Sequence, residues 1–180
     1  MPFRFNPSKT IQAAGVLLRA TPHQRMSRLR LLKLLYIADR ENLRLTGQPI
    51  TGDRVVAMHN GPVLSHTYDC IKGAGPIQAE WDRHFASEWY DVLLKEPTST
   101  DDLCPHEIAL LQRMAEERQN KEDYDVAMET HGFPEWTDPG STSAPISFEA
   151  ILDALGKPRE MLEEAGEFAT VDRLFERFRA

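Results

Sequence analysis

The clearest hydrophobic pattern in the chain lies in the stretch SRLRLLKLLYIADRENLRL, residues 27 to 45. Four apolar residues recur there at the i, i+3, i+4, i+7 spacing of one helix face: Leu31, Leu34, Leu35 and Ala38. Ser27 is a typical N-cap residue, and Gly47 is a typical residue just beyond a helix C-terminus. Because Leu32 and Tyr36 widen the apolar arc, the pattern predicts that this helix forms the core of the domain.

Weaker patterns predict the other elements. Helices are expected from Asn6-Pro7 to about Thr21, over 65–72, from Cys104-Pro105 onward, over 123–130, and from Ser147 to Gly156. The β-branched run 55–58 predicts a strand, and the aromatic-rich stretch 81–94 predicts one or two more. Residues 134–145 are rich in proline, glycine and serine, which predicts a loop. The expected fold class is α+β and mainly α-helical, a single domain with a small sheet packed on a helical core.

Charge is unevenly distributed along the chain, whose net charge is −7. Residues 1–79 contain 11 Lys and Arg against 4 Asp and Glu, whereas residues 80–135 contain 5 against 15. Such a chain either folds its oppositely charged segments against each other or presents two faces of opposite potential. The first residues lack an apolar signal segment, and no apolar run approaches membrane-spanning length, so a cytoplasmic protein without a membrane partner is expected.

The stretch PITGDRVVAMHNGPV, residues 49 to 63, contains two glycines near a predicted strand. It does not fit a phosphate-binding loop, because Asp53 follows the first glycine and would repel a phosphate. Pro62 follows the second glycine and has no amide hydrogen to donate. Turns at Gly52 and Gly61 explain the pattern better, and Ser65 is expected to be the N-cap of the next helix.

The other candidate residues form no catalytic or metal-binding pattern. Ser65, His66 and Asp69 do not share one helix face, so they cannot form a local proton relay. The six histidines lack the paired spacing of a metal site, and Cys70 and Cys104 do not form a CxxC motif. The sequence therefore predicts a protein that is not an enzyme, with no cofactor and no bound metal.

A basic stretch leaves DNA binding open as an alternative. It contains seven cations: Arg19, Arg25, Arg28, Arg30, Lys33, Arg40 and Arg44. Aromatic residues do not alternate with these cations, and the helix that carries most of them is too apolar for a recognition helix. Nucleic acid is therefore disfavoured as a partner, although a DNA-binding or phage-associated regulator remains the alternative function.

The motifs of this chain resemble the Panacea domain of the SocA-like antitoxin family. The first block runs from residue 26 to residue 73, and the second covers residues 131–147. The residues that carry the resemblance are Lys33, Leu34, Leu35, Tyr36, Asp39, Arg40, Thr51, Gly52, Asp53, Gly61, Pro62, Tyr68, His131 and Trp136. The resemblance extends from about residue 7 to residue 156, with Cys104 standing where the family usually has a serine cap.

The resemblance implies a mostly helical domain with a small antiparallel sheet, over residues 1–156. It also implies an antitoxin of a type II-like toxin–antitoxin pair in a bacterial or phage context. Such an antitoxin neutralises a cognate toxin by direct binding, alone or with delivery to a protease or chaperone. Asp39, Arg40 and Asp53 are expected to fix the corner between helix and strand by hydrogen bonds rather than to contact a partner.

Residues 157–180 lie outside the resemblance and form a charged extension with a helical pattern. Its apolar stripe at helical spacing, with a neighbouring arginine, is the candidate partner-binding site: Leu174, Phe175, Phe178 and Arg177. The alternative is that the same stripe packs onto the core of the domain.

Overall fold

The computed structural model describes residues 3–157. Over that range the chain forms seven α-helices and six strands. The helices are α1 (Pro7–Arg19), α2 (Arg28–Thr46), α3 (Ser65–Ile71), α4 (Gln78–His84), α5 (Pro105–Glu117), α6 (Asp123–His131) and α7 (Phe148–Ala154). The strands are β1 (Arg25–Ser27), β2 (Val55–Met58), β3 (Gly61–Leu64), β4 (Phe85–Glu88), β5 (Asp91–Leu94) and β6 (Ala144–Ile146). The α+β, mainly helical fold class is confirmed. None of these helices is long and apolar enough to cross a membrane.

Helix α2 is the centre of the domain, as its hydrophobic pattern predicts. The Ser27 side chain accepts a hydrogen bond from the Arg30 amide and caps the helix, while Gly47 ends it at a φ of 79°. Residues on all sides of α2 are buried, and the helix contacts α1, α5, α6 and β3. Full burial of a leucine stabilises a fold by about 1.5–3 kcal/mol, so the leucines of this one helix contribute a large part of the core energy.

The strands form two three-stranded antiparallel sheets rather than the single small sheet that was expected. One sheet has the order β1-β5-β4 and the other the order β3-β2-β6. Met26 lies opposite Val92 in the first sheet, and Val55 lies between Leu64 and Ile146 in the second. All five of these side chains are buried, which places one face of each sheet against the helical core.

Two of the predicted elements differ from the structure. The stretch 81–94 is not entirely strand, because Trp81 and His84 lie in α4 and only the residues after them form the β4–β5 hairpin. Trp81 is buried against Phe85, with ring centroids 4.4 Å apart, and this packing favours the helix over the β-propensity of the stretch. The predicted loop 134–145 also ends in strand β6, which begins at Ala144.

The N-terminus of α3 is capped by a residue far from it in sequence. The Asp53 carboxylate, fully buried, accepts hydrogen bonds from the His66 amide (3.0 Å), the Thr67 amide (2.9 Å) and the Thr67 hydroxyl (2.8 Å). The prediction that Ser65 caps this helix is therefore wrong. The Ser65 hydroxyl instead accepts a hydrogen bond from the Arg54 guanidinium at 2.8 Å. An aspartate at a helix N-terminus also opposes the positive end of the helix dipole.

Oppositely charged segments of the chain fold against each other. Within the described residues, ion pairs connect the basic first part with residues 80–135, among them Lys9–Glu107, Arg25–Asp91, Arg30–Asp123, Arg40–Glu135 and Arg113–Glu41. The Lys9–Glu107 pair also supports the start of α5, since Glu107 accepts a hydrogen bond from the Cys104 amide at 2.9 Å. Internal complementarity thus accounts for much of the charge asymmetry in the sequence.

We expect Asp53→Ala to lower the free energy of unfolding by about 3 kcal/mol, because it leaves the Thr67 amide and hydroxyl and the partly buried His66 amide without an acceptor. Asp53→Asn keeps one side-chain oxygen as an acceptor and should lose less. Urea unfolding followed by circular dichroism measures both values. Asp69→Ala, on the partly exposed side of the same helix, is the control and should change stability by less than about 0.5 kcal/mol. Equal effects of Asp53→Ala and Asp69→Ala would contradict the capping role.

Candidate functional site

The buried polar residues of α2 hold three neighbouring segments of chain in place. The first is the loop after the helix, which Asp39 organises. One Asp39 oxygen accepts hydrogen bonds from the Ile50 amide (3.0 Å) and the Thr51 amide (2.9 Å), and the Thr51 hydroxyl donates to the other oxygen. Burial raises the pKa of Asp39 to about 7, while the hydrogen bonds from Thr51 and Ile50 act in the opposite direction. Asp39 therefore shapes the loop and is not available to a partner.

Gly52 lies in that loop because the backbone of another segment passes close to it. Its φ is 61°, and a Cβ atom there would clash with the carbonyl oxygen of Arg4. The Asn6 amide donates to the Thr51 carbonyl at 2.7 Å. The segment before α1 is thus hydrogen-bonded to the loop. Its close approach explains why the motif has glycine at position 52.

The second segment held by α2 is the loop after α6, through Glu135. Its carboxylate accepts hydrogen bonds from the Tyr36 hydroxyl (2.6 Å) and from two nitrogens of Arg40 (2.6 and 3.2 Å), and its side chain is fully buried. The Arg40 guanidinium also lies 4.2 Å from the centre of the Phe133 ring. Burial and the charge of Glu135 both raise the pKa of Tyr36. Arg40 and Tyr36 are therefore used within the fold.

The third segment is the turn of the β2–β3 hairpin, to which the Lys33 side chain is hydrogen-bonded. The Lys33 side chain is fully buried, and its Nζ atom donates a hydrogen bond to the Pro62 carbonyl at 2.7 Å. Gly61 has a φ of 93°, and a Cβ atom there would lie 3.0 Å from Lys33 Nζ and would clash with the Thr130 hydroxyl. Burial lowers the pKa of Lys33 from 10.5 to about 7. The amine therefore has one internal hydrogen bond and no carboxylate partner among residues 3–157.

Two aromatic residues of the motif lie beside the same hairpin. Trp136 stacks on His131 with ring centroids 4.1 Å apart, and its indole nitrogen donates to the Met58 carbonyl at 3.1 Å. Tyr68 is half-buried, with the Lys72 amine 5.0 Å from the centre of its ring. His131 and Trp136 thus attach the 132–138 loop to strand β2.

The described part of the chain contains no arrangement suited to catalysis. No cluster of three His, Cys, Asp or Glu side chains within residues 3–157 is placed to hold a metal ion. The polar motif residues pair with backbone groups or with neighbouring side chains such as Glu135 and Thr67, and within residues 3–157 they form no chain of nucleophile, base and acceptor. The prediction that the protein is not an enzyme nevertheless stays a prediction. The motif is a framework that positions loops and hairpins around α2.

Comparison with known proteins identifies this framework. The family model described as antitoxin SocA-like, Panacea domain, matches residues 31–137, which is more than half of the chain. The chain belongs to the SocA-like Panacea domain family. No curated protein and no solved structure matches it significantly. The matched range includes every residue of the motif and is shorter at both ends than the resemblance at residues 7–156. The boundaries 1–156 and 157–180 therefore stay predictions.

The Panacea domain also contains a groove that sequence reasoning missed. Its volume is about 450 Å³, and it lies over the first turns of α2, between the turns of the two hairpins. Five segments line it. Strand β1 and helix α2 contribute Ser27, Arg28, Leu32 and Lys33, and the β2–β3 turn contributes His59 and Asn60. The remaining lining residues are Tyr68 of α3, Tyr90 of the β4–β5 turn and Asp123 of α6. The β4–β5 turn has no glycine or asparagine to mark it, so the residues at its tip could not be placed from sequence.

The basic stretch predicted as an alternative DNA-binding surface is largely paired with other groups. Arg25, Arg30, Arg40 and Arg44 each form an ion pair with a carboxylate. Arg19 donates to the carbonyl and hydroxyl of Thr98 at 3.1 and 2.9 Å. With Lys33 buried, Arg19 and Arg28 are the cations of this stretch that have no carboxylate partner within the described range, and Arg19 is bound to Thr98. Such pairing leaves few cations to contact phosphates.

The other partner-binding candidates cannot be located. The four candidates of the C-terminal stripe lie outside the described residues: Leu174, Phe175, Phe178 and Arg177. Their part in binding therefore stays a prediction from the sequence pattern.

The lowered pKa of Lys33 predicts a pH dependence of stability. Between about pH 7 and pH 10.5 the unfolded chain holds a proton that the folded chain has released, so the free energy of unfolding should rise with pH in that window. From pH 7 to pH 9 the rise is about 2 kcal/mol. Lys33→Met should remove this contribution, whereas Lys72→Met, at an exposed lysine, should retain it. Urea unfolding at pH 6, 7, 8 and 9 measures the slopes, and parallel slopes for wild type and Lys33→Met would contradict the assignment.

Proposed function

We propose that this Panacea domain is the antitoxin of a type II-like toxin–antitoxin pair and neutralises its cognate toxin by direct protein–protein binding. The family match over residues 31–137 is the observation that carries the proposal. The arrangement of the motif supports it, since Asp39, Asp53, Tyr36 and Arg40 are used to build the domain. A protein organised in this way acts through its surface rather than through a reactive cluster.

Delivery of the bound toxin to a protease or chaperone is a finer part of the same proposal. The extension at residues 157–180 suits such a role because its sequence places Leu174, Phe175 and Phe178 on one side of a helical pattern, beside charged residues. An apolar stripe of this kind binds a protein partner when it is exposed. The proposal therefore assigns toxin binding to the whole chain and keeps the extension as a second contact.

Co-expression tests the neutralisation. We expect the product of the reading frame adjacent to this gene to stop growth when it is expressed alone, and we expect growth to recover when the present chain is expressed with it. Colony counts on inducing medium measure the recovery. The control is Asp53→Ala, which loses a buried cap and should rescue less at higher temperature, because its folded fraction falls. An adjacent product that is harmless alone, or toxic in both cases, would contradict the proposed function.

The role of the extension is tested by Phe175→Ser combined with Phe178→Ser. We expect about tenfold weaker binding to the same toxin with an unchanged unfolding midpoint, because two apolar contacts are removed from an interface and not from the core. Titration calorimetry and thermal unfolding measure the two quantities. Arg173→Ser, in the same segment but outside the stripe, is the matched control. A lower unfolding midpoint together with unchanged affinity would assign the stripe to the domain core.

A further inference from the structure

The tip of the β4–β5 hairpin combines strain with exposed aromatic surface. Trp89 is 94% exposed and has a φ of 56°, in the left-handed region that residues with a Cβ atom rarely adopt. Tyr90 beside it is 68% exposed. Neither ring gains the burial energy that usually favours an aromatic residue in a fold. The tip thus has features that reduce the stability of the free protein, and strained residues of this kind cluster at functional sites.

The hairpin tip is held rigidly in this position. The carbonyl of Tyr90 accepts a hydrogen bond from the Arg28 amide at 2.7 Å, which pairs one of the free N–H groups at the start of α2. The Arg28 guanidinium lies 4.8 Å from the centre of the Tyr90 ring, and strand β5 pairs on both sides, with β1 and β4. A backbone that is already ordered loses little conformational entropy when the tip binds a partner.

The groove beside the tip is mainly apolar, and its lining contains two basic residues and one carboxylate. Arg28 and Lys72 each have an aromatic contact and no carboxylate partner among residues 3–157. Lys33 closes the floor of the groove. The one carboxylate in the lining, Asp123, is paired with Arg30 at 2.5 Å. Arg28 therefore supplies a positive charge without a carboxylate partner at this groove, on a chain whose net charge is −7.

A second exposed apolar pair lies on helix α6, which also contributes Asp123 to the groove lining. Tyr124 follows Asp123 in α6 and is exposed, and Met128, one turn further along the helix, is exposed too. Residues four apart on a helix share a face, so these two side chains form one ridge. Four of the five large apolar side chains that are exposed within residues 3–157 thus belong to the hairpin tip or to the helix that supplies Asp123.

We propose that the groove and the Trp89–Tyr90 tip are the docking surface for the toxin and accept an apolar segment of it that carries carboxylates. The inference rests on the proposed antitoxin function and specifies where the toxin binds. Trp89 and Tyr90 supply the aromatic contacts that dominate protein interfaces, and apolar side chains of the partner fill the groove. Arg28 and Lys72 pair with the carboxylates, which sets the orientation of the segment and speeds its association.

The experiment measures growth rescue and binding with one defined probe, the tagged product of the adjacent reading frame. The groove variants are Trp89→Gly and Arg28→Glu, and the controls are Leu45→Ser and Arg83→Glu, an exposed leucine and an exposed arginine outside the groove. We expect each groove variant to weaken binding by about tenfold or more and to reduce rescue. The effect of Arg28→Glu should decrease as salt is raised.

Stability separates binding from folding in these variants. Glycine adopts a positive φ without strain, so Trp89→Gly should have an unfolding midpoint equal to or higher than that of the wild type. A variant that is at least as stable and yet binds about tenfold more weakly shows that Trp89 serves the interface.

The outcomes distinguish failure of the proposed docking surface from failure of the proposed antitoxin function. If the wild-type chain neither binds nor rescues, the proposed antitoxin function fails, and the docking surface fails with it. If the wild type rescues and both groove variants rescue equally well, the docking surface alone is overturned. It is also overturned if the wild type forms a dimer that Trp89→Gly dissociates, or if the groove variants lose affinity only for an oligothymidylate probe. Dissociation of the dimer would assign the groove to a second copy of the chain. Loss of affinity for oligothymidylate alone would assign it to single-stranded nucleic acid.

Discussion

Helix α2 is buried on nearly all sides, and its polar side chains must therefore find hydrogen-bond partners inside the protein. A buried polar group without a partner costs several kcal/mol, and a buried charge costs more. Asp39 meets this requirement by binding the loop that contains Thr51, and Arg40 meets it by binding Glu135. Lys33 meets it through the carbonyl of Pro62. Each solution fixes one segment of chain against α2, so the positions of both neighbouring loops and of the β2–β3 hairpin depend on the burial of this single helix.

The same requirement explains how the charge of the chain is arranged. The basic first part supplies α1 and α2, and the acidic middle part supplies α5, α6 and the loop that carries Glu135. Ion pairs between the two parts join elements that are distant in sequence, such as Arg30 with Asp123. The more exposed of these pairs, such as Arg25 with Asp91, contribute at most about 1 kcal/mol each. Their main effect is to pair cations of the basic first part with carboxylates, whereas Arg28 has no carboxylate partner among residues 3–157.

Sequence patterns predicted the elements whose causes are local. The α2 helix, its Ser27 cap and its end at Gly47 follow from residues within a few positions of each other, and all three are present. The cap of α3 could not be predicted in this way, because it depends on Asp53, twelve residues before the helix begins. The helix at Trp81 was missed because its packing against Phe85 and the core overrides local propensity. The groove was missed for a similar reason, since its lining comes from five separate segments that only the folded chain brings together.

Residues that build this domain and residues that can bind a partner form two separate sets. The polar side chains of the motif are used internally, and an interface that took over Asp39 or Glu135 would have to leave buried amides or a buried guanidinium without partners, at a cost of several kcal/mol. Binding energy must therefore come from groups that the fold leaves available, which in the described range include the aromatic side chains of the β4–β5 tip and the Arg28 guanidinium beside it. Because Trp89 makes so little contact with the rest of the domain, its side chain can change with little effect on stability. The family framework can thus remain the same while the contacts that select a partner change.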